Sequence, residues 1–245
     1  MQRLKSKDHH YRTRAHSKDL IACRVQVKET DLLVSACTDL SQEASDRVHH
    51  YRIQLEAYIR RRPEFLSALL PYPADPFAPQ IIREMISASS TFGVGPMAAV
   101  AGTIAQFVGR DLLQYSEEVI VENGGDIFIK TNRPATISIY AGSSPLSGKL
   151  GLILSAEEMP AGVCTSSGTV GHSLSLGKAD AVCIVARSAS IADAAATALG
   201  NRIRSASKLR EAIDTVRESE VIKGGVAIVG MTMASWGDVE LTDLT

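Results

Sequence analysis

The sequence contains no Cys-x-x-Cys pair, no uninterrupted apolar run long enough to span a membrane, and almost no net charge. Its four cysteines, Cys23, Cys37, Cys164 and Cys183, stand far apart. That spacing excludes a zinc ribbon or a dithiol redox motif. A chain of 245 residues buries a core without covalent staples, so free thiols in a reducing compartment are expected. The net charge of −1 supplies no global attraction to nucleic acid or to an anionic membrane, and neither is expected as a partner. Residues 1 to 62 are locally basic, with thirteen Lys and Arg against eight Asp and Glu, which reads as a solvated surface. The opening residues, Met-Gln-Arg-Leu-Lys-Ser-Lys-Asp-His-His, lack the apolar core of a signal peptide, and a cytoplasmic location is the expectation. The most apolar stretch, Phe92 to Val108, is interrupted by Gln106 and followed by Arg110 and Asp111. It reads as a buried helix.

Catalytic motifs with fixed spacing are also missing. No Walker A loop, dinucleotide fingerprint or Gly-x-Ser-x-Gly elbow occurs. What is present is a clear change of period along the chain. Residues 10 to 37 alternate polar and apolar side chains, predicting two or three antiparallel strands. From Ser41 the period becomes helical, with Ala44, Val48, Tyr51, Leu55 and Tyr58 on one stripe until Pro63. Helices are predicted near 79 to 91 and from Pro96 to about Tyr115, followed by strands at about 118 to 122, 126 to 131, 136 to 140, 149 to 155, 161 to 166 and 180 to 187. Two more helices, near 190 to 206 and 208 to 219, precede closing strands at 225 to 241. The order predicts one α+β domain over 1 to 245, an antiparallel sheet with helices packed on one face and two similar halves.

Three segments combine residue types suited to chemistry. Asn123-Gly124-Gly125-Asp126 lies between two strand-like runs and is a hairpin signal, and its glycines leave the backbone bare to a ring or a phosphate. The segment Cys164-Thr165-Ser166-Ser167-Gly168-Thr169-Val170-Gly171-His172 offers hydroxyls and amides for phosphate oxygens, with His172 as a base candidate; for Cys164 no activating partner is identifiable. The third is Ala192-Asp193-Ala194-Ala195-Ala196-Thr197-Ala198-Leu199. One helical turn places Asp193 and Thr197 on one face, about 5 to 6 Å apart at Cβ, among alanines low enough for a ligand to approach. A carboxylate and a hydroxyl suit a hydrated Mg²⁺ ion carrying phosphates. The same residues fit a capping box of Ser190 with Asp193, and a bond from the Thr197 hydroxyl back to the Asp193 carbonyl.

The order of these segments, after a Gly-rich helix start at 93 to 102, resembles the ApbE superfamily of FAD:protein FMN transferases over about residues 90 to 235. The resemblance implies tandem T-fold-like halves. It also implies flavin contacts at Asn123, Gly124, Gly125, Ser167 and Gly168, and Mg²⁺ at Asp193 and Thr197 beside the FAD pyrophosphate. His172 is then the catalytic candidate. A flavin nucleotide and an acceptor protein are the implied partners, with monomer and homo-oligomer both open. Two departures stand against this pattern. The helix start carries Val94 and Met97 where the family has a nearby lysine, and His172 is followed by Ser173-Leu174-Ser175-Leu176-Gly177 where transferases have His-x-x-Asp-Pro-x-x-Gly. A non-catalytic flavin- or nucleotide-binding or assembly protein, or a nucleotide pyrophosphate hydrolase, therefore remains beside the transferase.

Overall fold

The computed structural model describes residues 19–167 and 177–245. The first strands, β1 (Ile21–Val27) and β2 (Thr30–Ala36), form a hairpin and lead into three helices, α1 (Ser41–Arg61), α2 (Glu64–Ser67) and α3 (Gln80–Thr91). A short 3-10 turn, Pro96–Ala99, opens α4 (Val100–Leu112), so the apolar stretch at 92 to 108 is broken and then buried. Next come β3 (Val119–Asn123), β4 (Asp126–Lys130), β5 (Ala135–Ser138), β6 (Leu150–Leu154), β7 (Ala161–Ser166) and β8 (Ala181–Ala186). The chain continues through α5 (Ala189–Arg202), α6 (Leu209–Asp214), β9 (Ile222–Val229), β10 (Thr232–Gly237) and β11 (Glu240–Asp243). No single helix among the described residues is long and apolar enough to cross a membrane. The part of the expected first strands before residue 19 lies outside the described residues.

Eight strands make one sheet in the order β1-β2-β3-β4-β7-β8-β9-β10, with every neighbouring pair antiparallel. Two strand pairs flank a helical insertion in each half: β1β2 and β3β4 around α1 to α4, then β7β8 and β9β10 around α5 and α6. This is the twofold repetition that the element order predicts. The helices cover one face, where Val121, Phe128, Cys164 and Ile184 meet Met85, Val108 and Leu199. A second sheet, β11-β6-β5, covers the other face, where Ile120, Ile129 and Val185 meet Ile137, Leu152 and Leu154. Burial on both sides explains why Ala181–Ala186 is apolar at every position rather than alternating.

Along α1 the apolar stripe is buried at Ala44, Val48, Leu55 and Tyr58. Tyr51 on the same stripe turns its hydroxyl to Asp111 on α4 at 2.6 Å and lays its ring edge-on to Phe107. Helix α5 is enclosed on nearly all sides, with ten of its fourteen residues buried, which is why alanine dominates it. Its start is fixed from two directions. The Ser188 hydroxyl accepts from the Ile191 amide at 3.3 Å, and the fully buried Gln106 accepts from the Ala189 amide at 2.7 Å. Gln106 donates in turn to Glu84 at 3.3 Å. Replacing Gln106 with leucine strands the Ala189 N–H, and a loss of about 1–3 kcal/mol is expected. In thermal unfolding this should read as a fall of roughly 2–12 °C.

Candidate functional site

The hairpin β3–β4 turns through Gly124 and Gly125, with Asn123 and Asp126 directly opposite each other. Gly124 has φ of +70°, a conformation that disfavours a side chain, and open space lies over it. The Asn123 side chain donates to the Ala101 carbonyl at 3.1 Å, so the turn is anchored to the first turn of α4. On the other side, the Thr165 amide donates to the Gly125 carbonyl at 3.0 Å, which joins the turn to the end of β7. Strand alternation puts Asn123 and Asp126 on the helix-covered face with Val121 and Phe128.

Helix α5 runs above β7 and brings Asp193 to this end of the sheet. Asp193 is 8% exposed as a residue, and its carboxylate accepts from the Gly102 amide at 2.9 Å. The expected capping box is therefore corrected. Ser188 caps α5, Ser190 sits inside the first turn, and Asp193 reaches across to the start of α4. Thr197, one turn further, is half-buried, and its hydroxyl bonds to no other described residue, the Asp193 carbonyl included. Ser167 ends the described part of the loop after β7 and is half-buried. Gly168 and His172 lie outside the described residues. Asn123, Gly124, Gly125, Asp193 and Thr197 thus surround one end of the sheet, with Ser167 on the chain leaving it.

Asp126 is the residue that the sequence reading did not single out. A signal was available, because a two-residue turn makes Asp126 the partner of Asn123 and places both on one face. Across the sheet Asp126 stands opposite Cys164. Dense surroundings push the Asp126 carboxyl from 3.8 up to about 7, although the Cys164 thiol and the Thr165 amide favour its ionised form. Burial also raises Asp193 well above the ordinary range, the Asp126 charge raises it further, and the amides of Gly102 and Ala101 oppose both. Cys164 is raised as well, first by burial and then by the charges of Asp126 and Asp193. Its thiol donates to the Ala189 carbonyl at 3.3 Å, so it is no activated nucleophile. All four cysteines are free.

These shifts give stability a pH dependence of definite sign. The folded Asp126 holds its proton up to about 7, whereas an unfolded carboxyl releases it near 3.8, so the native state binds more protons between those values. Stability must then fall as pH rises through that window. Denaturation of the metal-free protein from pH 4 to pH 8 should show the fall, and Asp126→Asn should make it shallower, burial of Asp193 maintaining the remainder.

Among the described residues no three or more His, Cys, Asp or Glu side chains gather as a metal cluster. A cation here would take one or two carboxylates and complete its shell with hydroxyl, carbonyl, water or phosphate oxygens, as Mg²⁺ does.

The arrangement is an ApbE-type fold. The chain superposes on the apo crystal structure of the flavinyl transferase ApbE from Pseudomonas stutzeri with a TM-score of 0.57 at 15% identity, covering 89% of this chain and 94% of that one. For the ApbE protein of Thermotoga maritima the TM-score is 0.52 at 12% identity, covering 90% and 96%. A sequence model of the AbpE bacteria family matches residues 12–232. The UPF0280 protein of Methanocella arvoryzae is 42% identical over 215 residues, 87% of each chain. The chain belongs to the AbpE bacteria family.

Proposed function

We propose that the protein binds a flavin nucleotide, FAD, together with Mg²⁺, and transfers FMN to a hydroxyl of an acceptor protein with release of AMP. The observation that carries this reading is the convergence of the Asn123-Gly124-Gly125 turn and the Asp193 and Thr197 face of α5 at one end of the sheet, held together by the Asn123 and Asp193 bonds to α4. The donor set fits a hard divalent cation. Asp193 is buried beside a second carboxylate, and added positive charge would relieve both. Asp193 and Thr197 would hold the ion against the pyrophosphate, and when bound it would neutralise charge developing on the transferred phosphate. The open backbone at Gly124 would take a flat ring or a phosphate, while Gly125 packs against the Thr165 carbonyl and lends its peptide to the turn; Ser167 and Gly168 are the further proposed flavin contacts. His172 is the proposed base for the acceptor hydroxyl.

A second reading, binding without transfer, is favoured by one sequence fact. His172-Ser173-Leu174-Ser175 stands where transferases carry His-x-x-Asp-Pro. Incubating the protein with FAD, MgCl₂ and a cell extract separates the cases. AMP with flavin-labelled protein supports transfer, bound FAD without AMP supports the binding role, and AMP without label means that water is the acceptor. Absence of both FAD binding and AMP overturns all three.

A further inference from the structure

We infer that Asp126 is a second carboxylate of the cation site, so that the site loads a divalent cation before any nucleotide arrives; this rests on the reading of Asp193 as a ligand given above. The placement is built by three elements. Asp126 on β4 lies opposite Cys164 on β7, and the Cys164 thiol donates at 3.3 Å to the Ala189 carbonyl. Ala189 is one helical turn before Asp193 on the same side of α5. The two carboxylates therefore approach the Cys164 position from the sheet and from the helix.

Neither carboxylate has a Lys, Arg or His ion-pair partner among the described residues, although ten other ion pairs join them. A buried carboxylate, Asp193, beside a half-buried one, Asp126, with no cation against either, is costly. A separate observation points to a ligand. Ser190 is fully buried and its hydroxyl has no hydrogen-bond partner, and at about 100° per residue Ser190, Asp193 and Thr197 fall within an arc of about 60° on α5. The stripe that presents Asp193 thus carries two further oxygens without a partner among the described residues.

Charge decides the order of loading. With one carboxylate, a magnesium site keeps most of its water and depends on substrate phosphates for the remaining charge. With two carboxylates the formal charge is −2, and a divalent cation neutralises it without phosphate. Hydroxyls from the α5 stripe would replace part of its water.

Mn²⁺ is the probe, titrated into the full-length, nucleotide-free protein and followed by its electron paramagnetic resonance signal. One bound Mn²⁺ displaced by Mg²⁺ is expected, with affinity weakened about tenfold or more in both Asp126→Asn and Asp193→Asn. An unchanged affinity in folded Asp126→Asn overturns the inference, as does the absence of Mn²⁺ binding to the nucleotide-free wild type. If Asp126→Asn fails to fold, Asp126→Ser takes its place, with the same tenfold loss expected and an unchanged affinity overturning the inference. A parallel titration with FAD and Mg²⁺ tells the two failures apart. If FAD binds only together with the metal and Mn²⁺ alone does not bind, the preloaded site is lost and the flavin reading stands. If Mn²⁺ binds and FAD never does, the cation site stands and the flavin reading is lost.

Discussion

An Asp193→Asn variant is expected to lose about 100-fold in affinity for FAD measured with Mg²⁺, near 2.7 kcal/mol, while unfolding at or above the wild-type temperature. The two halves of that result have different causes. Asparagine keeps an oxygen that can accept from the Gly102 amide, so the link between α4 and α5 survives. It removes the negative charge, and with it the attraction for a cation. In the metal-free wild type that charge is a burden, because burial and the neighbouring Asp126 both oppose ionisation. Relief of the burden should raise the unfolding temperature by a few degrees, roughly 2–4 °C per kcal/mol in a chain of this size. Fluorescence titration of FAD and thermal unfolding at pH 7 check the pair together. If the variant binds FAD as well as the wild type does, Asp193 is only the acceptor that caps α4.

How much of this was legible in the sequence depends on whether the cause was local. The stripe of Ala44, Val48, Leu55 and Tyr58 is set by helical period, and α1 follows it. The two halves could be read because the switch from period 2 to period 3.6 happens twice. The second sheet could not. Its third strand, β11, joins the β5–β6 pair from the far end of the chain, and the trace of the sheet's presence is the absence of polar residues in strands such as Ala181–Ala186. The start of α5 shows the same limit. Ser188 and Ser190 both offer a cap, and the choice of Ser188 goes with the contact of Gln106 to Ala189. Spacing alone placed Asp193 and Thr197 on one face, but the destination of the Asp193 carboxylate is decided by Gly102, 91 residues earlier. Asp126 was hidden for a related reason: its chemistry comes from burial against β7 and α5.

Gly102→Ala should be strongly damaging for the addition of a single methyl. A Cβ there would lie 2.3 Å from the Ala189 carbonyl oxygen and 2.8 Å from the Asp193 Cβ. Neither neighbour is the end of a flexible side chain, so no rotamer change makes room. Helices α4 and α5 must separate, and α5 cannot retreat freely because Gly162 holds it against β7: a Cβ on Gly162 would stand 2.3 Å from the Ala189 Cα. Overpacking of this kind costs about 3 kcal/mol, a fall of roughly 6–12 °C in unfolding temperature. The same displacement moves Asp193 off the Gly102 amide, so FAD affinity should fall with stability. Gly124→Ala provides the contrast. It imposes a left-handed conformation on alanine, at about 1–2 kcal/mol, but the added methyl meets nothing within 4 Å. Calorimetry on both variants separates strain in the turn from collision between helices. An unchanged unfolding temperature for Gly102→Ala would mean that α4 and α5 can part without cost, and the close approach that fixes Asp193 would lose its role. A large loss for Gly102 with a small one for Gly124 would locate the rigidity of the site in the α4–α5 contact, where one missing side chain lets a backbone amide reach the carboxylate.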